Sequence, residues 1–196
     1  MPKKFSEQYI KKAQKSLEKI PVDNLAKIIE TLYQAYKNNK QVFIMGNGGS
    51  ASSASHFACD MGKGTAIPNK PRFRIISLND NIPLFTALAN DCGYESVFKE
   101  QLANLVNKDD VVIAITCSGN SPNTVKAIEY ANSQKAVTVG LLGFDGGKLA
   151  KMVDVELTIP SPDKDYGLVE SVHSTILHLI PEYLKQQIQN EQQAKQ

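Results

Sequence analysis

The sequence predicts a doubly wound α/β domain, a parallel sheet covered by helices on both faces. Three observations carry this. Five short apolar runs rich in β-branched residues recur along the chain: Val42–Met45, Arg72–Leu78, Val111–Ile115, Val137–Leu142 and Val153–Ile159. Helix-length segments separate most of them, the alternation expected of βαβ units. Three of the runs end in loops rich in glycine or hydroxyl residues, where an open parallel sheet carries its ligand.

Ahead of the first run, two amphipathic helices are expected. Ile10, Ala13, Leu17 and Ile20 recur at helical spacing until Pro21 stops the run. Leu25, Ile28, Ile29, Leu32 and Tyr36 then line one face of a second helix, which ends at the polar Lys37–Lys40 stretch. Both lie outside the βαβ alternation. Their apolar faces need cover, either from another subunit or from the sheet of their own chain. At the far end, one long helix is expected from about Leu168 to Asn190, followed by a fraying Gln-rich tail. No internal repeat or long linker interrupts the chain. Residues 1–196 are therefore expected to form one domain, with helices over 1–40 and an αβα core over about 41–190.

Composition narrows the function. At 196 residues the chain can bury a core without disulfides or metals as staples, since a domain of this size hides roughly 70% of its unfolded surface. A net charge of +2, with only the Lys3-Lys4 and Lys11-Lys12 pairs standing out, gives no electrostatic footprint for nucleic acid. No apolar run approaches the roughly 20 residues of a membrane span, and the start lacks a signal-peptide core. Cys59, Cys92 and Cys117 are odd in number and form no CxxC pair, which fits a reduced cytoplasmic protein.

Two strand-end loops suit a phosphate. Gly46-Asn47-Gly48-Gly49-Ser50 follows the first strand and opens a helix at Ala51. Its glycines let the backbone approach a ligand, and free N–H groups at the helix start favour an anion. Without a ligand, the same residues would serve as a tight turn. In the second loop Thr116, Ser118 and Ser121 put three hydroxyls between a strand and a helix. Ser121 suits the N-cap and Pro122 the first turn, but capping does not need Thr116 and Ser118 as well. Neither loop matches a Walker A sequence, and no GxGxxG follows the first strand. A small phosphorylated ligand fits better than a nucleotide.

The three histidines fall on two helices. His56 and Asp60 share a helical face at a spacing of four. Glu170, His173 and His178 lie on the last helix. A lone histidine is usually structural, and His173 is read so. Two imidazoles and two carboxylates from His56, Asp60, Glu170 and His178 would suit zinc with a position open to substrate.

Taken in order, Gly46-Asn47-Gly48-Gly49-Ser50, His56-Phe57-Ala58, Asn90-Asp91-x-Gly93, Ser118-Gly119-Asn120-Ser121 and Gly146-Gly147-Lys148 resemble the phosphoheptose isomerases of the sugar-isomerase (SIS) domain superfamily. The resemblance runs from about residue 40 to 185. It implies a three-layer αβα sandwich with a five-stranded, flavodoxin-like parallel sheet, assembled as a homotetramer with active sites between subunits. It implies isomerisation of sedoheptulose 7-phosphate to D-glycero-D-manno-heptose 7-phosphate, a precursor of cell-surface heptose. Carried over by position, Ser50, Thr116, Ser118 and Ser121 would hold the phosphate, and Asn47, Gly48, Gly49, Asn90 and Asp91 would line the sugar. His56, Asp60, Glu170 and His178 would hold zinc, with Asp60 or Glu170 as base and His178 as its acid/base partner.

Five positions depart from the family pattern, among them Leu168-Val169, which stand where Arg-Ile is usual before position 170. Asp60 stands where glutamate is usual, Glu170 where glutamine is usual, and Cys117 replaces a threonine, so that only its backbone N–H could serve the phosphate. Two other functions compete: a non-catalytic relative that binds the replication initiator, and a sugar-phosphate sensor. The retained His56, Asp60, Glu170 and His178 favour the enzyme, and no DNA-binding segment is apparent. Glu170 and His178 are eight residues apart, about 12 Å along a helix. The two are therefore expected to meet more easily between subunits than within one chain.

Overall fold

The structure is a computed structural model and describes residues 1–193. Helices α1 (Pro2–Leu17) and α2 (Val22–Lys37) lead into β1 (Gln41–Gly46) and α3 (Gly49–Cys59). The last helix of these widens into a π-helical turn over Asp60–Gly64. Then follow β2 (Arg74–Ser77), α4 (Ile82–Cys92), α5 (Val97–Leu105), β3 (Val111–Thr116) and α6 (Pro122–Ser133). β4 (Val137–Phe144), β5 (Val155–Pro160) and α7 (Tyr166–Gln193) complete the chain.

All five expected strands form, and every pairing is parallel in the order β2-β1-β3-β4-β5. This is the flavodoxin-like order, with its reversal point between β1 and β3. Two cores flank the sheet. One holds Val42, Ile44, Ile113 and Val139 against α2, α3 and α7. The other holds Phe43, Met45, Val112 and Ala114 against α5 and α6. Alternate residues of β1 and β3 thus feed opposite layers, as the period of two requires.

Element ends differ from expectation by a few residues. The second strand is confined to Arg74–Ser77, because only these residues find register partners, Gln41 to Ile44, on β1. The fifth begins at Val155 rather than Val153. The first loop's helix opens at Gly49, two residues early, with Gly48 at φ +56° in the left-handed region. The two leading helices also part ways. α2 buries Leu25, Ile28, Leu32 and Tyr33 on its own sheet, whereas no residue of α1 is buried. Phe5, Tyr9, Ile10 and Leu17 of α1 remain exposed.

Candidate active site

The site begins where β1 and β3 end, at the reversal point of strand order. The second loop is shaped from below. Thr116 Oγ1 accepts the Gly119 N–H at 3.3 Å, and Ser118 Oγ accepts the Asn120 N–H at 3.3 Å. Gly119 has φ +63°, and a Cβ there would lie 1.9 Å from the Gly146 carbonyl oxygen, so no side chain fits. The Gly146–Gly147 loop after β4 therefore backs the hydroxyl loop directly. Ser121 occupies the N-cap of α6, yet its hydroxyl makes no capping bond. Instead its carbonyl accepts Thr124 Oγ1 at 2.9 Å. A well-placed hydroxyl at a helix N-terminus is thus left available to an anion.

The first loop is fixed by a side-chain pair. Asn47 Nδ2 donates to Asn123 Oδ1 at 2.9 Å, and Asn123 Nδ2 donates back to Asn47 Oδ1 at 2.8 Å. Tyr94 Oη also donates to Asn47 Oδ1, at 2.8 Å. Ser50 is buried in the first turn of α3, its N–H bonded to the Asn47 carbonyl at 3.0 Å. A cavity of about 420 Å³ opens here, lined by Asn47, Tyr94, Glu95, Ser121, Pro122 and Asn123. On its rim, Glu95 is held below the usual carboxylate range by its own backbone N–H first and by Lys126 second. A larger cavity, about 600 Å³, lies at the opposite end of the sheet among Glu30, Gln34, Lys40 and Asp109. It contains none of the strand-end chemistry, so size alone does not mark the site.

Further along α3 the polar side chains converge again. His56 Nε2 lies 3.3 Å and His178 Nε2 3.9 Å from Asp60 Oδ2. The two imidazoles meet edge to face, with centroids 4.9 Å apart. The ligand atoms of His56, Asp60 and His178 all fall within 4.8 Å of one another, and all three side chains are open to solvent. Asp60 opens the π turn, a distortion that recurs at functional sites.

Glu170 is not among this trio. Its carboxylate lies against the first loop, where a Cβ on Gly49 would come within 2.7 Å of Oε1. It also lies near the second loop. The Cys117 thiol is pushed up to about 12, chiefly by burial and further by the Glu170 charge. Cys117 turns its side chain into the core, so its sulfur is not offered to a ligand. Asn90 and Asp91 stand exposed at the end of α4 and bond to each other at 2.7 Å, making no hydrogen bond to either loop. His173 is buried, with Nε2 on the Leu142 carbonyl at 3.0 Å and Nδ1 without a partner. The structural role read for it from sequence agrees with this burial.

Sequence reasoning missed Tyr94, Glu95 and Asn123. Tyr94 and Asn123 reach Asn47 from 47 and 76 residues away. Only the position of Asn123 in the first turn of α6, two residues after the last hydroxyl, was a local clue.

A family model for the SIS domain matches residues 8–143. The chain is 38% identical over 162 residues to a phosphoheptose isomerase of Trichlorobacter lovleyi, covering 83% of this chain and 81% of that one. It is 39% identical over 171 residues to one of Helicobacter pylori, covering 87% and 85%. The structure of the phosphoheptose isomerase of Neisseria gonorrhoeae superposes with a TM-score of 0.84 at 29% identity, covering 93% of this chain and 97% of that one. Sequence and fold agree along most of both chains, and this chain belongs to the phosphoheptose isomerase family of SIS-domain proteins.

Proposed function

We propose that the protein is an aldose–ketose isomerase converting sedoheptulose 7-phosphate to D-glycero-D-manno-heptose 7-phosphate, for cell-surface heptose. One arrangement supports this above all: hydroxyls at the N-termini of α3 and α6, and a His–Asp–His cluster formed by the far end of α3, the π turn after it and α7. Ser50 and Asp60 are ten residues apart in sequence, about 15 Å along a helix, a length of the order that an extended heptose phosphate spans. Glu170 and His178 flank the same interval on α7. In this reading Ser50, Thr116, Ser118 and Ser121 hold the phosphate with the backbone N–H groups around them, that of Cys117 included. Asn47, Gly48, Gly49, Asn90 and Asp91 face the sugar.

His56, Asp60 and His178 fit zinc by the chemistry of their donors. Two imidazole nitrogens and one carboxylate, with a position left open, are a usual catalytic set. When bound, zinc would polarise the substrate carbonyl. The chain's own residues move the protons. Asp60 takes a proton from C1 of the ketose and returns it at C2. Its Oδ2 faces the imidazoles, which leaves Oδ1 for the substrate. His178 carries the second proton from the C1 oxygen to the C2 oxygen. Glu170 is the reserve base and a fourth metal ligand, supplied to the cluster by a neighbouring subunit.

That sharing rests on a homotetramer, and the uncovered apolar residues of α1 support an assembly. No helix among the described residues is long and apolar enough to cross a membrane. The three free cysteines support a cytoplasmic setting. The intact His–Asp–His cluster favours catalysis over a purely binding role. The deciding measurement is NMR of the purified protein with sedoheptulose 7-phosphate. Aldoheptose 7-phosphate should accumulate, and a mixture that stays unchanged would overturn the proposal.

A further inference from the structure

We infer that Tyr94 and Asn123 are positioning residues that lock the Asn47 amide in one orientation, so that it presents a single N–H to the sugar. The inference rests on the sugar-phosphate reading of the site. The Thr124 backbone N–H can only donate. It bonds Asn123 Oδ1 at 2.9 Å, which fixes that atom as the acceptor and Nδ2 as the donor. The choice propagates. Asn123 Nδ2 must face an acceptor, so Asn47 turns Oδ1 toward it at 2.8 Å and Nδ2 back toward Asn123 Oδ1 at 2.9 Å. The Tyr94 hydroxyl then takes the second lone pair of Asn47 Oδ1 at 2.8 Å.

The Asn47 side chain has now spent both acceptor positions and one of its two amide hydrogens. One N–H remains, on a residue that lines the strand-end cavity. A flipped amide would set Asn47 Oδ1 against Asn123 Oδ1 and its NH₂ against Asn123 NH₂, so the alternative orientation is excluded. Asn123 is 1% exposed and cannot turn to compensate. The amide is therefore a preorganised donor suited to a hydroxyl or carbonyl oxygen of the sugar. The clasp also joins three segments, the β1–α3 loop, the turn after α4 and the start of α6, around that single donor.

Tyr94→Phe tests this with little risk to folding. Tyr94 is 53% exposed, and its ring packs edge to face on Phe85 at 5.9 Å without the hydroxyl. Calorimetry would compare sedoheptulose 7-phosphate with inorganic phosphate as ligands. Loss of the clasping bond should weaken the sugar phosphate by about five- to tenfold and leave inorganic phosphate within about twofold. In an Asn47→Ala background the same substitution should cost nothing more, because Tyr94 acts through Asn47. Parallel weakening of both ligands would assign Tyr94 a merely structural role and overturn the inference. So would an equal loss in the Asn47→Ala background, unchanged affinity for the sugar phosphate, or a wild-type protein that binds it no better than phosphate. Absence of turnover with binding intact would sink the isomerase reading alone, since this comparison is made on binding.

Discussion

His173 and His178 are five residues apart on α7, about 140° around the helix axis, and the difference in surroundings gives them different chemistry. His173 faces the core, bonded to the Leu142 carbonyl, and burial pulls its pKa down to about 4. It is a neutral, packed side chain. His178 faces outward beside His56 and Asp60, free to exchange a proton or take a metal. One helix thus carries a structural and a candidate catalytic imidazole, and burial rather than residue type separates them.

The largest effect is expected at His178. His178→Gln should lower turnover of sedoheptulose 7-phosphate by about 10²–10⁴-fold, the usual worth of a positioned acid/base, with urea unfolding unchanged because the side chain is exposed. A variant that keeps turnover within about threefold would remove His178 from the chemistry.

His173 should show the opposite pattern, in stability. Its folded pKa lies below the ordinary 6.5, so the unfolded chain binds the proton more readily. The contribution is complete above pH 6.5 and is lost as pH falls toward 4, about 3 kcal/mol in all. His173→Gln, which can keep a donor toward Leu142, should flatten that part of the stability profile. Urea midpoints of variant and wild type at pH 7.5 and 4.5 would check it. Identical pH slopes would show that His173 does not carry the acid lability.

Two smaller effects are expected, at Ser121 and at Glu170. Ser121→Ala should weaken sugar-phosphate binding by about 1–3 kcal/mol, the cost of a lost bond to a charged group, as calorimetry would show. Since its hydroxyl caps nothing, α6 should keep its stability. Glu170→Gln should leave turnover within about threefold if Asp60 is the base, because the amide keeps a ligating oxygen and only the proton acceptor is lost. A collapse in solvent-deuterium incorporation at the substrate carbons would transfer the base to Glu170.

The architecture was legible where the signal is local. All five strands were marked by short apolar runs, and the strand-end loops by their glycines and hydroxyls. Ends were less legible because partners set them: β2 begins at Arg74, opposite Gln41, the first residue of β1. The fate of the leading helices was open in sequence, since amphipathic helices α1 and α2 look alike there. Only the packing separates α2, sealed on the sheet, from α1, which is not. In the site, His56 and Asp60 were readable as a helical pair, while the arrival of His178 depends on α7 packing beside α3. The separation of Glu170 from His178 within one chain was readable from their eight-residue spacing, while its place against the first loop was not. Ser121 was expected as a cap and occupies that position without capping, because the Thr124 N–H that a cap would accept bonds Asn123 Oδ1 instead.

The backing of Gly119 by the Gly146 carbonyl carries a consequence for how this protein can change over generations. Main chain touches main chain there, with no side chain between to absorb a shift. An insertion or a bulkier residue after β4 is transmitted at once to the hydroxyl loop after β3, so the two segments are inherited as one mutational unit. Cys117, two residues away with its side chain in the core, is not bound by this and can vary with the packing beneath it. Drift in substrate preference is then easier through residues that hang over the crevice from other segments, such as Tyr94 and Glu95, than through the loops themselves.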